Sequence, residues 1–239
     1  MGASQLHYGT MYTKHCGIER RIMSTPKKVE EKEKNRRGYL IVKRGLDFLV
    51  GTTGCVLLIP ISVVIKLLYL LSGDTHSILY SQDRVGLNGK IFKMYKFRTM
   101  VPDAEEILEK LLEQEEYRRQ WDNNNKLEND PRITTVGKII RITNIDETPQ
   151  FINILKGDMS LVGPRPLIPG ELEGHGGDPI YQSVKPGLTG IWACSKRYEV
   201  DYDKRLDLEY SYIKNRSLGL DTKIVVRTLM EALALFKNK

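Results

Sequence analysis

Apolar periodicity is missing from the first stretch of the chain, Met1 to about Arg37, which closes in the charge run KKVEEKEKNRR. Such a stretch predicts a solvated basic tail over residues 1–38, with too little apolar surface to fold by itself. It lacks the continuous apolar core of a secretory signal. The next segment is its opposite. From Phe48 to Ile65 no charge occurs, and beyond Lys66 the run LLYLLSG continues to Gly73. This length predicts a membrane helix over residues 39–73. Pro60 removes a helical hydrogen bond and crowds the preceding turn, so a break or kink is expected at Ile59–Pro60. A helix broken there enters the bilayer and returns to the same side, with Lys43, Arg44 and Lys66 snorkelling to one interface. The alternative is a buried core helix of a soluble protein. No second apolar run of this length follows, which excludes a multi-spanning chain.

After Gly73 the pattern becomes that of mixed α/β material, residues 74–239. Ile78–Ser81 and Ile91–Phe97 read as short strands joined by a glycine-rich turn at Gly86 to Gly89, a β-hairpin. On the second strand Lys96 and Arg98 share a face and can address one anion, although an exposed basic edge strand has the same pattern. Residues 103–121, DAEEILEKLLEQEEYRRQW, place Ile107, Leu111 and Leu112 at helical spacing and predict one amphipathic surface helix. Asp130-Pro131-Arg132 marks a turn that leads to Ile139, Ile140 and Arg141. Pro149 suits the first turn of a helix holding Phe151, Ile152, Ile154 and Leu155, which Gly157 ends.

Composition narrows the partners. The 239 residues carry a formal charge of +7, so anionic partners are expected: nucleic acid, lipid head groups or phosphorylated metabolites. Cys16, Cys55 and Cys194 lie far apart without metal-ligand spacing, which indicates neither a zinc site nor a disulfide framework.

Candidate chemistry concentrates in residues 140–167. Asp146 and Glu147 form an adjacent acid pair, accompanied by Arg141, Asp158 and Arg165 as polar anchors. Two carboxylates can supply a nucleophile and a metal ligand, and arginine forks match phosphate oxygens. The acids are placed near a helix N-terminus, where the macrodipole stabilises negative charge. Asp146 taken alone is equally well a helix cap.

Taken in order, KRGLDF, the proline-interrupted apolar segment, QDRVGLNGKIFKMYKFRTM, NDPRIT, IDETPQFINILKGDMSLVGPRPL, KPGLTGIW and RLDLEYSYIKNRSLGLDTKIVVRTL resemble the bacterial sugar transferases, the monotopic polyprenyl-phosphate phosphoglycosyl transferases. The resemblance runs from about Tyr39 to the C-terminus. It implies an α/β, mostly helical catalytic domain on the cytoplasmic face of the bacterial inner membrane, anchored monotopically by a re-entrant helix. It implies transfer of a hexose 1-phosphate from a UDP-sugar to undecaprenyl phosphate, with inner-membrane lipids as surroundings, Mg²⁺ as cofactor and room for a homo-oligomer. Asp146 then matches the nucleophile, and Asp146 with Glu147 the metal ligands. Arg141 and Arg165 match phosphate-binding positions, followed by Lys96 and Arg98, with Lys185 and Arg197 as further substrate contacts. Two departures stand out: Ile59 precedes Pro60 where the family often has serine, and Asn144 and Thr148 flank the acids where serine and leucine are usual. A nucleic-acid-binding protein is the competing reading of the charge, but no nucleic-acid motif is present. A noncatalytic membrane scaffold of the same fold is the other alternative.

Overall fold

A computed structural model describes residues 37–124, 127–174, 176–194 and 202–237. Arg197, His175 and the tail as far as residue 36 lie outside the described residues. The architecture is mostly helical with short two-stranded sheets and one long apolar N-terminal helix. The chain forms two compact units, one of residues 48–83 and 92–161, the other of residues up to 47, 84–91 and 162–239.

Helix α1 spans Arg37–Leu71, 35 residues, with Pro60 inside it. Of the break or kink expected at Ile59–Pro60, a break does not occur: the helix runs through the proline. Proline deletes a single donor, and the apolar residues on both sides sustain the remaining ladder. Leu57, Ile59, Val63, Val64 and Leu71 are all more than half exposed, which the core helix of a soluble protein would not be. By length and composition α1 can cross a membrane. Its end is tied by Lys66, whose ammonium donates to the carbonyls of Thr75 and His76.

The unit of residues 48–83 and 92–161 is built along α1. Strands β1 (Leu79–Val85) and β2 (Ile91–Phe97) form the predicted hairpin, and β2 has the expected bounds while β1 starts one residue late and runs to Val85. The single helix expected over 103–121 is two: α2 (Ala104–Leu112) and α3 (Glu115–Asn124). Each helix opens on paired acids, Glu105 and Glu106, then Glu115 and Glu116. Acids favour a first turn over a helix interior, and the run at 113–116 supplies a second start.

Helix α4 (Thr135–Ile142) is capped by the Thr134 hydroxyl, which accepts from the Gly137 amide. A Cβ on Gly137 would lie 1.9 Å from the Thr99 carbonyl oxygen, so only glycine lets α4 approach the end of β2. Helix α5 (Gln150–Lys156) starts after Pro149 and ends at Gly157, whose φ of 89° is the left-handed cap predicted from its position. Leu58, Ile65 and Tyr69 of α1 share a core with Phe97, Val136 and Ile140, against which Phe151 and Ile152 pack. The Asp130-Pro131-Arg132 turn is more than a break. Arg132 grips Asp130 through Nε (2.8 Å) and Nη2 (2.7 Å), both residues buried.

Strand β3 (Ser160–Val162) closes the first unit and leads into Gly163 of the other, where β4 (Gly187–Thr189) follows the Lys185-Pro186 turn. The Gly163 amide donates to the Thr189 carbonyl. A Cβ on Gly187 would lie 2.1 Å from the Gly163 nitrogen. Short helix α6 (Glu171–Gly174) precedes a 3-10 turn at Pro179–Ser183. Helices α7 (Tyr202–Asn215) and α8 (Leu218–Lys237) complete it. Asp221 of α8 accepts from Tyr39 (2.9 Å), Lys43 (2.6 Å) and Tyr212 (2.9 Å), which binds the start of α1 to the last two helices.

Candidate active site

The acid pair lies in a 3-10 turn, Ile145–Glu147, preceded by Asn144 in the left-handed conformation (φ 55°). Asparagine tolerates that conformation better than the serine usual in the family, because its short amide can bond locally. The turn stands directly ahead of α5, whose N-cap is Pro149, so the acids lie near a helix N-terminus as expected, though not within the helix itself. Thr148 closes the turn by donating to the Ile145 carbonyl (2.7 Å).

Asp146 is half-buried. Burial first, and then the charge of Glu147, hold its carboxyl above the usual carboxylate range, while Lys96 and Arg141 pull the other way. Lys96 Nζ donates to Glu147 Oε1 at 3.1 Å. Arg141, near the end of α4, is exposed, and its Nε donates to Thr99 Oγ1 at 2.9 Å. The structure thus brings Asp146, Glu147, Lys96 and Arg141 together.

Arg98 is engaged elsewhere. Strand β2 ends at Phe97, and the Arg98 guanidinium reaches Asp74 Oδ2 (2.8 Å) and the carbonyls of Ser77 and Met100, lying over the Tyr69 ring. Against the upward pull of burial, this guanidinium helps hold Asp74 below the usual carboxylate range. Lys96 and Arg98 thus engage different acids, Glu147 and Asp74, and the strand whose alternation would put them on one face ends at Phe97, between them. Asp158 follows α5 and sits 3.6 Å from Lys156 Nζ. It is 3.5 Å from Asn153 Nδ2.

Asn153, overlooked by the sequence reading, is wholly buried. Its Oδ1 accepts from the Tyr95 amide (3.0 Å) and its Nδ2 donates to the Lys93 carbonyl (2.7 Å). It clamps α5 to the strand that presents Lys96. Its signal was an amide among the apolar positions of QFINILK.

Arg165 and Lys185 belong to the other unit. Arg165 lies on the Pro164–Pro166 turn, with its guanidinium 5.5 Å from the centre of the Trp192 ring. Lys185 is half-buried, and its carbonyl oxygen lies 2.5 Å from where a Cβ on Gly163 would sit. Arg205 lies 4.9 Å from the Trp192 and Tyr202 rings and 3.3 Å from Glu171.

Glu209 was also missed, although Leu206, Glu209 and Ile213 put an acid on an apolar helical face. It is 1 % exposed, and its Oε2 finds no hydrogen-bond partner among the described residues. Burial pushes its carboxyl up to about 7, against the Arg165 amide and the charges of Arg205 and Arg165. Because the folded state holds this proton more tightly than the unfolded chain, the stabilisation is complete below about 4.5 and is lost as pH rises through about 7. Glu209→Gln should remove that component. The wild-type stability relative to the variant should fall by about 3 kcal/mol between pH 4.5 and pH 8, read from unfolding in detergent at a series of pH values.

Among the described residues no three acid, histidine or cysteine groups gather as a ready-made metal cage. The acid pair nonetheless suits Mg²⁺, which keeps several waters and takes one or two carboxylates plus phosphate oxygens. A cation there would also relieve the repulsion between Asp146 and Glu147.

The sequence profile of the bacterial sugar transferase family matches residues 38–234. The chain belongs to that family. It is 43% identical over 195 residues to an undecaprenyl-phosphate galactose phosphotransferase of Salmonella typhimurium, covering 81% of this chain and 40% of the relative. A UDP-galactose-lipid carrier transferase of Erwinia amylovora is 43% identical over 190 residues, 79% of this chain and 39% of the relative. The exopolysaccharide production protein ExoY of Rhizobium meliloti is 39% identical over 192 residues, 79% of this chain and 84% of that protein. The chain thus spans about two fifths of the length of the first two relatives and most of the third.

Proposed function

We propose that this protein transfers a hexose 1-phosphate from a UDP-sugar to undecaprenyl phosphate, in the first membrane step of a surface glycan. The observation that carries this reading is the half-buried Asp146 beside Glu147, Lys96 and Arg141, in a unit packed along an exposed apolar helix. A carboxylate oxygen of Asp146 attacks the sugar-bearing phosphorus of the donor. The bond from that phosphorus to the bridging oxygen breaks, and UMP leaves with the bridging oxygen and its electron pair. A phosphosugar-aspartyl intermediate, an acyl phosphate, remains. An oxygen of undecaprenyl phosphate then attacks the same phosphorus, the bond from phosphorus to the Asp146 oxygen breaks, and the carboxylate is restored. Lys96 holds Glu147 in place, and Arg141 and Arg165 bind phosphate oxygens, with Lys185, Arg197 and Asp158 as further contacts. Asp146 and Glu147 would hold Mg²⁺, which when bound neutralises diphosphate charge. Galactose and glucose 1-phosphate are the first sugars to test, given the names of the relatives.

The same unit supports a monotopic anchor on the cytoplasmic face. From Gly51 to Tyr69, a rise of roughly 27 Å at 1.5 Å per residue, α1 packs against α4, α5 and the end of β2. A straight crossing of a hydrocarbon layer about 30 Å thick would draw Lys138 and Arg141 into lipid. Bending at Pro60 within the continuous helix keeps both ends on one side.

Purified protein should release UMP from UDP-galactose or UDP-glucose only when Mg²⁺ and undecaprenyl phosphate are both supplied for repeated turnover. Binding of these ligands without any UMP release from a panel of UDP-sugars would favour a scaffold. For the anchor, Gly45→Cys and Ser72→Cys, with the native cysteines replaced, should both react with an impermeant reagent from the cytoplasmic side alone. Labelling from opposite sides would overturn the monotopic topology.

A further inference from the structure

Arg165 is carried on a turn whose backbone is held by buried side chains that the reaction does not otherwise use. Its amide donates to Glu209 Oε1 (3.3 Å), and its carbonyl accepts from the Tyr181 hydroxyl (3.0 Å). The Pro166 carbonyl accepts from Arg84 Nη1 (3.0 Å), and the Pro164 carbonyl from the Gly187 amide (2.8 Å). Glu209, Tyr181 and Arg84 are 1, 4 and 7 % exposed. Burial, with the Glu209 charge, pushes the Tyr181 phenol up, which keeps it a neutral donor.

Burying a carboxyl, a phenol and a guanidinium is costly compared with apolar packing of the same volume. Here the three reach the fold from three separate stretches of chain and converge on one tripeptide. Pro164 and Pro166 have fixed φ, so a turn with these tethers has little freedom left. The Arg165 side chain is only half-buried and lies beside Trp192. A rigid base under a half-exposed guanidinium is what preorganised anion binding requires.

We propose that Glu209, Tyr181 and Arg84 are positioning residues for Arg165, fixing its turn so that the guanidinium is preorganised to clamp the diphosphate of the nucleotide donor. This rests on the reading above that Arg165 binds donor phosphate.

The test uses full-length protein in detergent with Mg²⁺ and UDP as the probe, with affinity read by calorimetry and folding by thermal unfolding. Tyr181→Phe deletes one hydroxyl. Glu209→Leu deletes an acceptor that Glu209→Gln keeps. Tyr181→Phe and Glu209→Leu should each weaken UDP binding roughly 2- to 10-fold, the scale of one hydrogen bond. Glu209→Gln should restore most of the loss, and Arg165→Ala should weaken binding further and abolish the effect of Tyr181→Phe in the double variant. Wild-type UDP affinity in Tyr181→Phe and Glu209→Leu, or the same loss in the Arg165→Ala background, overturns the positioning role while leaving the Arg165 reading intact. Wild-type affinity in Arg165→Ala itself overturns the phosphate role of Arg165, and the positioning role with it.

Discussion

Asp146→Asn should lower UMP release by about a thousandfold or more while the protein stays folded, since it removes the attacking charge and almost nothing else. The residue is half-buried in its own 3-10 turn, and among the described residues its carboxylate interacts with its own backbone amide and the charges of Glu147, Lys96 and Arg141 and with no core group, so the loss should fall on the chemical step. A second readout follows from the balance of the reaction. Wild-type protein incubated with Mg²⁺ and its UDP-sugar, without undecaprenyl phosphate, should gain the mass of one phosphosugar, and Asp146→Asn should gain none. Full turnover in a folded Asp146→Asn variant would transfer the attacking role to Glu147 and refute the assignment.

The largest effect on stability is expected at Asp221. Its carboxylate receives Tyr39, Lys43 and Tyr212, and Asp221→Ala would leave the Lys43 ammonium without its counter-charge in a mostly buried place, with only the Tyr212 hydroxyl still in reach, while Tyr212 keeps the Val162 carbonyl. Stranding a partner in this way costs about 3 kcal/mol or more. For a chain of this size that is roughly 6 to 12 °C in unfolding midpoint. The double variant Lys43→Met with Asp221→Leu should recover much of the loss, because removing both charges leaves neither unpaired. A midpoint for Asp221→Ala within 2 °C of wild type, roughly 1 kcal/mol or less, would show that the network contributes little.

What could be read from the chain beforehand was what depends on local sequence. The bounds of β2, the stop of α5 at Gly157, the α1 segment and the acid turn all follow from alternation, a left-handed cap or an uncharged run of sufficient length. The features that escaped are set by partners distant in the chain. Arg98 looked like a neighbour of Lys96 because two-residue alternation says so, yet the strand ends at Phe97 and Asp74 claims the guanidinium. The pairing of Lys43 with Asp221 spans 178 positions, and no periodicity announces it. Asn153 and Glu209 left a trace only as polar residues on apolar faces. That pattern says such a side chain is buried and satisfied by something, without naming the partner. Pro60 is a different case: its local signal allowed a break or a kink, and the helix continues through it without a break.

The glycines of α1 carry one more implication. A Cβ at Gly54 would fall 2.3 Å from Cγ of Phe151, and one at Gly51 would fall 2.9 Å from the Leu155 nitrogen. The helix that follows the acid turn is therefore seated in a notch on the apolar helix, its Phe151 ring filling the space over Gly54 and its backbone at Leu155 closing on Gly51. Trimming the chain ahead of Gly73 to obtain a freely soluble catalytic fragment would strip Phe151 and Ile152 of the surface they rest on. Anchor and reaction centre cannot be engineered as interchangeable modules, and a chimera that borrows a foreign anchor must bring a matching notch with it.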